Sequence, residues 1–385
     1  MKLLFVGSEI RHELGCAASL ALLGYDVLYF HVGSKYEPLS WRETCLDYAC
    51  LKVKILEIPH PMLFQTLLYV KNLIPKAILG YSPDVVISTP SAPYYIGKYL
   101  ASLNDVPLIL RVWGVRANKL IDHLLYGKNY PEIALFPFSV LHTLFQVYNS
   151  RALITMDNST TKFLKKFSLK EIRLIYPTYA ANYKYKLQYY DNATNNVRLA
   201  IEQIGNNYVL SIVTLGREKD VARTVEWNLL GILLFISKRL PDVKVVIVGT
   251  SIAELKQAFH ISNIPRNLYL TGKIYDDDLL KYLYKNALIV VVPVFYRSVS
   301  NRLLEALFYK KPILTNSIAL ELHPVLKDAV IISNDYDRYH EIIKVLLKQD
   351  NILEELQQRV KTVWDRFFSS KVQAREMLKV IKEVI

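Results

Sequence analysis

The residues with the clearest chemical pattern lie between positions 292 and 312, where a short apolar run meets an amphipathic one. Ser298, Ser300 and Asn301 open the second run. The first backbone N–H groups of a helix have no partner inside it, and the helix dipole adds partial positive charge at that end. A helix that starts just after a strand therefore suits a phosphate. Arg297 and Arg302 stand beside this start and can add charged donors to phosphate oxygens. Glu305 falls about one turn in, too far along to cap the helix. A carboxylate there can accept hydrogen bonds from the two hydroxyls of a ribose. The competing reading of Glu305 is a solvated helix glutamate.

A site of this kind must be held by a sheet. The first half of the chain alternates apolar strands over 3–6, 26–31, 53–58, 84–88, 107–112, 152–155 and 172–176 with helical patterns over 16–23, 94–103 and 159–167. Strand, helix, strand in sequence argues for a parallel sheet with right-handed crossovers. Residues 184–207 are polar and rich in Asn and Tyr, which reads as a linker. A second alternating series follows, with strands over 208–214, 244–248, 268–271, 288–292, 313–315 and 329–332 and helices over 225–239 and 279–284. Asp276 is the expected N-cap of the latter. The last stretch, 353–385, is amphipathic, with Ser369 and Ser370 placed to start a separate final helix. Both halves thus read as doubly wound α/β domains, and ligands on such sheets sit at the carboxyl ends of the strands.

The bulk composition agrees with two domains. The chain has 385 residues, 52% of them apolar, which excludes a disordered protein. A formal charge of +13 suits an anionic partner, although a mixed-charge solvated surface accounts for it equally well. No nucleic-acid motif is visible, so nucleic acid is not expected as a partner. Cys16, Cys45 and Cys50 show neither a disulfide framework nor a paired metal spacing. They read as buried inert thiols. Residues 3–6 are too short for a signal peptide's apolar region, and no run of ~18 apolar residues exists to span a bilayer. A cytoplasmic protein is expected.

The segment 292–312 resembles the donor site of GT-B glycosyltransferases, especially the large retaining family 4. That family's motif carries two glutamates separated by seven residues, followed by a Lys-Pro strand start. Glu305 matches the second glutamate and Lys311-Pro312 the strand start. Arg297 stands at the first glutamate, and Ser298 and Ser300 replace the usual loop glycines. Asn301-Arg302 is similar to a version found in part of the family. The resemblance implies an α/β, GT-B fold: two Rossmann-like doubly wound domains facing a central cleft. It implies an acceptor-side domain over 1–183, a donor domain over 184–368 and a helix over 369–385 that crosses back to the first domain. It implies that Glu305 holds the donor ribose, and that the loop N–H groups of Ser298, Ser300, Asn301 and Arg302 hold the diphosphate.

Residues 214–219 resemble the loop in which a Gly-Arg pair and a downstream lysine reach the pyrophosphate. Gly216 and Arg217 match the pair, and Lys219 and Arg223 compete for the lysine's place. Charged donors poised where charge develops would stabilise the leaving group with no metal or other cofactor, so Arg217, Lys219 and Arg297 are the catalytic candidates. No protein nucleophile is implied. Gly249 and Gly272 resemble the family's turns near the nucleotide, and Gly7 its opening loop. Trp113 is placed either to stack on a pyranose ring or to pack in the core. His12 and His123 are candidate acceptor contacts, against a structural role. Residues 133–145 are dense in apolar and aromatic side chains, with Lys119 and Lys128 nearby. They read either as a buried helix or as one lying in a membrane interface at the inner face.

The function implied is transfer of a sugar, with retention, from a UDP-, GDP- or similar nucleotide sugar to a glycan or lipid-linked acceptor. The alternative is a non-catalytic sugar-nucleotide binding protein on a degenerate GT-B fold, motivated by the lost glutamate and glycines. Sugar epimerisation would need paired carboxylates or histidines in the cleft, and the sequence shows no clear set.

Overall fold

In the computed structural model the residues described are 1–8, 11–33, 37–59, 70–114, 136–181, 201, 203–213, 222–261, 263–274 and 276–385. The chain divides into two compact units. One comprises Met1–Lys119, Leu135–Lys184 and Asp365–Ile385, and the other Leu120–Ala134 and Tyr185–Trp364.

The first unit is built on strands β1 (Lys2–Gly7), β2 (Asp26–Gly33), β3 (Glu37–Cys45), β4 (Cys50–Pro59), β5 (Val85–Ser88), β6 (Leu108–Val112), β7 (Ala152–Thr155) and β8 (Ile172–Leu174). Their order in the sheet is β3-β4-β2-β1-β5-β6-β7-β8. All neighbours run parallel except the edge strand β3, which is antiparallel to β4. The inner strands are mostly apolar because helices cover both faces. On one face Leu4, Val6, Phe30, Val86 and Leu110 form a core with Tyr94, Ile96 and Leu100 of the helix Ala92–Asn104. On the other lies the helix Arg11–Ala21, and the closing helix Ser370–Val384 packs on it. That closing helix is tied down within the unit: Ser370 N–H donates to Asp47 (3.2 Å), and Arg173 pairs with Glu383 (3.1 Å).

The second unit carries strands β9 (Tyr208–Ile212), β10 (Lys244–Val248), β11 (Leu268–Leu270), β12 (Ala287–Val291), β13 (Ile313–Thr315) and β14 (Ile331–Ile332). Their order is β11-β10-β9-β12-β13-β14, all parallel. The chain adds strands to one side of β9, then crosses to the other side at β12. This reversal is a topological switch point, and it opens a crevice outside the carboxyl ends of β9 and β12. Asp276 caps the helix Asp277–Asn286, accepting from Asp278 N and Leu279 N.

Two expectations need correction. Cys45 and Cys50 are a disulfide, so only Cys16 is a buried free thiol. The reason is register: β3 and β4 form a hairpin in which Cys45 and Cys50 are directly opposite, with Cα atoms 3.9 Å apart. The hairpin partner β3 was not foreseen in the sequence. Its run EPLSWRETC mixes polar and apolar residues without a strand's strict alternation, as a half-solvated edge can, and Trp41 is 60% exposed. The first helix also starts earlier than expected, at Arg11 rather than 16. Among the described residues no helix is long and apolar enough to cross a membrane.

Candidate functional site

Strand β12 ends at Val291, and the chain runs through 292–300 into the helix Asn301–Phe308. The loop is pinned from the next strand: Asn316 accepts from Val294 N–H (3.2 Å) and donates to Val294 O (2.8 Å) and the Tyr336 hydroxyl (3.0 Å). Ser298 N–H closes a tight turn on Tyr296 O (2.8 Å). Ser300 is the N-cap, and its hydroxyl accepts the Leu303 N–H (3.4 Å). The helix is short but strongly amphipathic. Leu303, Leu304, Ala306 and Leu307 are all at 0% exposure and fix its roll.

That roll carries Glu305 inward. Its side chain lies in a residue only 8% exposed, and its Oε2 accepts from the Tyr284 hydroxyl at 3.1 Å. Tyr284 is itself buried and stacked on Tyr309 (4.6 Å, 19°). Glu305 is therefore not a solvated helix glutamate. A buried carboxylate held by a phenol is a rigid acceptor, since both its position and its rotamer are set by packing.

Arg297 is engaged differently from the expectation of a donor aimed at phosphate. Its Nε donates to Glu321 at 2.9 Å, on the helix Ser317–Leu322. Ser298, Ser300 and Arg302 are part-exposed and Asn301 is exposed, all at the start of the Asn301–Phe308 helix. Lys311 is structural. Its Nζ donates to Lys285 O (2.7 Å) and Ala287 O (2.9 Å), closing the end of the helix Asp277–Asn286, and burial lowers its pKa.

Gly216, Arg217 and Lys219, which follow β9 in the sequence, lie outside the described residues, as does His123. What is described is the scaffold. β9 and β12 are hydrogen-bonded neighbours, with Val209 opposite Ile289 and Leu210 opposite Val290, so the two loops leave adjacent strands at the switch point. Beside them, Gly249 N–H donates to Gly272 O (2.7 Å) and Gly272 N–H to Thr250 O (3.0 Å). Both glycines have positive φ, 99° and 67°, which a side chain would oppose. The helix after Gly249 is closed by its own capping box, Ser251 with Glu254. Its start is thereby less open to a ligand than that of the Asn301 helix.

In the first unit, Gly7 ends β1 for a local reason. A Cβ there would lie 2.0 Å from the Glu13 carboxylate, which fills the space above it. His12 is 1% exposed and sits edge-on to Trp113 (6.1 Å), which places it in the packing of the first helix. Trp113 is part-buried.

Around Gly7 the sheet face under that helix turns polar, a feature sequence reasoning missed. Tyr29 donates to Glu13 (3.3 Å) and stacks on His31 (5.9 Å). His31 Nδ1 lies 3.0 Å from Glu57 Oε1 in a pair that is almost fully buried. Arg111 is 1% exposed, and its Nε and Nη1 have no protein hydrogen-bond partner among the described residues. With the Gln373 amide turned so that its oxygen accepts from Thr178 N–H (3.0 Å), that oxygen also accepts from Arg111 Nη2 (3.2 Å). Gly7, Glu13, Tyr29, Ser88, Thr89 and Arg111 line a cavity with room for about one water. The available signal was a charged residue inside an apolar strand run, as in Glu57 within KILEIP and Arg111 within LILRV.

Comparison with known proteins agrees with this fold. The family described as Glycosyl transferases group 1 matches residues 210–349, the part that runs from within β9 through β14 and contains the Asn301 helix. No curated protein matches the sequence. Among solved structures, sucrose-phosphate synthase from Thermosynechococcus elongatus superimposes with a TM-score of 0.69 at 14% identity, covering 100% of this chain and 99% of that one. HepE from Anabaena in complex with UDP gives 0.61 at 12% identity, with 100% of both chains covered. Trehalose 6-phosphate synthase from Burkholderia multivorans gives 0.59 at 11%, covering 100% and 96%. At such identities the likeness establishes the fold: the chain has the GT-B fold of these enzymes, with two Rossmann-like α/β domains.

Proposed function

We propose that this chain is a glycosyltransferase that moves a sugar, with retention, from a nucleotide diphosphate sugar to a glycan or lipid-linked acceptor at the inner face of a membrane. The observation that carries the reading is Glu305, a buried carboxylate fixed by Tyr284 in the helix that opens at the β9/β12 switch point. The match of residues 210–349 to Glycosyl transferases group 1 supports it. HepE, one of the similar structures, was obtained with UDP and with UDP-glucose, which makes uridine nucleotides the first probes to use.

In this reading Glu305 accepts from the ribose hydroxyls. The start of its helix, with Ser298, Ser300, Asn301 and Arg302, faces the diphosphate, where N–H groups and the helix dipole favour negative charge. Arg217 and Lys219, which follow the neighbouring strand β9 in the sequence, supply charged donors. As the bond between the anomeric carbon and the diphosphate oxygen breaks, negative charge grows on the leaving diphosphate, and fixed donors there lower the barrier without a metal. The acceptor hydroxyl oxygen forms the new bond to the anomeric carbon, and its proton passes to the departing diphosphate oxygen.

The ion pair of Arg297 with Glu321 favours a second reading, a sugar-nucleotide binding protein without turnover, because it ties up the cation standing at the family's first glutamate. Two measurements separate the readings. Thermal unfolding with UDP, GDP and ADP should show stabilisation by at least one of them. Release of free nucleotide from the corresponding sugar nucleotide then marks an enzyme, and its absence a binding protein. Stabilisation by none of the three would remove both readings.

A further inference from the structure

The helix Phe136–Tyr148 in the first unit contains no charged residue, and it is amphipathic in the wrong sense for a core helix. Phe138, Leu141, Phe145 and Tyr148 recur at the i, i+3, i+7, i+10 spacing that aligns side chains in one stripe. They are 60%, 67%, 47% and 53% exposed, while Gln146 and Val147 on the opposite side are buried. A single exposed leucine needs no explanation, but an aromatic stripe along a whole helix does. The stripe also continues past the helix. The Tyr148 hydroxyl donates to Phe167 O (2.9 Å), and Phe167 and Leu169 are 41% and 99% exposed.

Cations border the stripe. Lys98 Nζ lies 5.0 Å from the Phe145 ring centre and donates to Asn149 (3.0 Å). Lys170 Nζ donates to the carbonyls of Val147 (3.2 Å) and Tyr148 (2.7 Å) and to that of Ser150, so its charge closes the helix's C-terminal end. Lys165 and Lys166 are exposed just before Phe167. None of the helices Ala92–Asn104, Phe136–Tyr148 and Asn158–Lys165 contains Asp or Glu. The acidic residue after Lys170, Glu171, is paired with Arg173 (3.0 Å).

We propose that this surface docks on an anionic lipid bilayer. Charge complementarity decides the occupant: aromatic and aliphatic side chains enter the interface while the bordering lysines meet lipid phosphates. The chain's +13 charge acts in the same direction. A second copy of the chain would cover the stripe but would bring the same lysines against one another. The 13-residue helix lies along the surface and is too short to span it. Docking deepens the reading of a lipid-linked acceptor but is measured without donor or acceptor, so either can fail alone.

The test is co-sedimentation of the full chain with phosphatidylcholine vesicles, with and without phosphatidylglycerol, at low and raised salt. The wild type is expected to bind the anionic vesicles, with binding weakened by salt. The exposed triple variant Phe138→Ser, Leu141→Ser, Phe145→Ser is expected to unfold at the wild-type temperature and to bind about tenfold less. Lys98→Gln with Lys166→Gln is expected to lose about fivefold per lysine on anionic vesicles only. Equal binding by the wild type and the triple variant overturns the proposal, as does no vesicle binding by the wild type. A concentration-dependent dimer that the triple variant loses, with no vesicle binding, assigns the surface to a second copy and also overturns it.

Discussion

Replacing Glu305 with Gln keeps the side chain's size and removes its charge, which makes it the sharpest probe of the donor site. The carboxylate is 8% exposed and accepts from the Tyr284 hydroxyl at 3.1 Å. An amide oxygen can still accept that bond, so the fold should lose only about 1 kcal/mol or less. Binding is another matter. Hydrogen bonds to a charged group are worth about 1.5–3 kcal/mol, so a nucleotide whose ribose hydroxyls donate to Glu305 should bind about 10- to 150-fold more weakly. Tyr284→Phe provides the contrast. It keeps the ring that stacks on Tyr309 but removes a partner of Glu305, and should lower stability by about 1–2 kcal/mol while changing affinity less than about fivefold. Calorimetric titration with UDP and GDP, beside thermal unfolding of each variant, reads both quantities. If Glu305→Gln binds with the wild-type Kd and unfolds like the wild type, the carboxylate is a packing residue and the assignment of the ribose is wrong.

Three further outcomes follow from the buried groups. Burial pulls the His323 imidazole from 6.5 to about 3, so between those values the unfolded chain holds more protons. Stability should be fully present above pH 6.5 and fall toward pH 3 by up to about 1.4 kcal/mol per unit, a slope that urea titrations should find missing in His323→Leu. Lys311→Met should cost about 1–3 kcal/mol by leaving the carbonyls of Lys285 and Ala287 without their donor. Because burial lowers the Lys311 pKa, wild-type stability should also rise with pH up to 10.5 in the window below that value, and the variant should lack this rise. Glu57→Ala, which removes the partner of His31, should lower the unfolding free energy by about 1–3 kcal/mol without weakening nucleotide binding in the other unit; unchanged stability would show that the His31–Glu57 contact contributes nothing.

The fold was legible where burial imposes a pattern. Both sheets are parallel over most of their width and covered on both faces, so most of their strands are short apolar runs, and runs such as 152–155, 244–248 and 313–315 coincide with strands β7, β10 and β13. β3 was not legible, because an edge strand has one solvated face and EPLSWRETC carries the mixed composition of a loop. The disulfide was hidden with it: the spacing of Cys45 and Cys50 acquires meaning only once a hairpin sets them opposite one another. The same holds for the polar floor under the first helix. Glu13, His31, Glu57 and Arg111 are far apart in sequence, and only the register of the neighbouring strands β4, β2, β1, β5 and β6 and the covering helix gather them.

The candidate site divides along similar lines. A strand, a loop with small polar residues and a helix carrying an inward glutamate form one contiguous piece of chain, and local physics suffices to read it. The neighbour of that piece cannot be read so simply. Arg217 lies some eighty residues earlier in the sequence, after β9, and its relevance follows from the crossing of the chain at β9 and β12, which sets the carboxyl ends of two sequence-distant strands side by side. Arg297 shows the limit most plainly. Its sequence position suggested a phosphate donor, yet Glu321, three elements later, takes its Nε at 2.9 Å. Both side chains are part-exposed, at 24% and 47%, so the pair is worth no more than about 1 kcal/mol. A diphosphate carrying more charge than one carboxylate can compete for Arg297 at that small cost. If it does, Glu321→Gln should tighten nucleotide binding, and the same substitution made on top of Arg297→Ala should leave affinity unchanged. If affinity is indifferent to Glu321 in both backgrounds, Arg297 is a structural cation and the diphosphate is held without it.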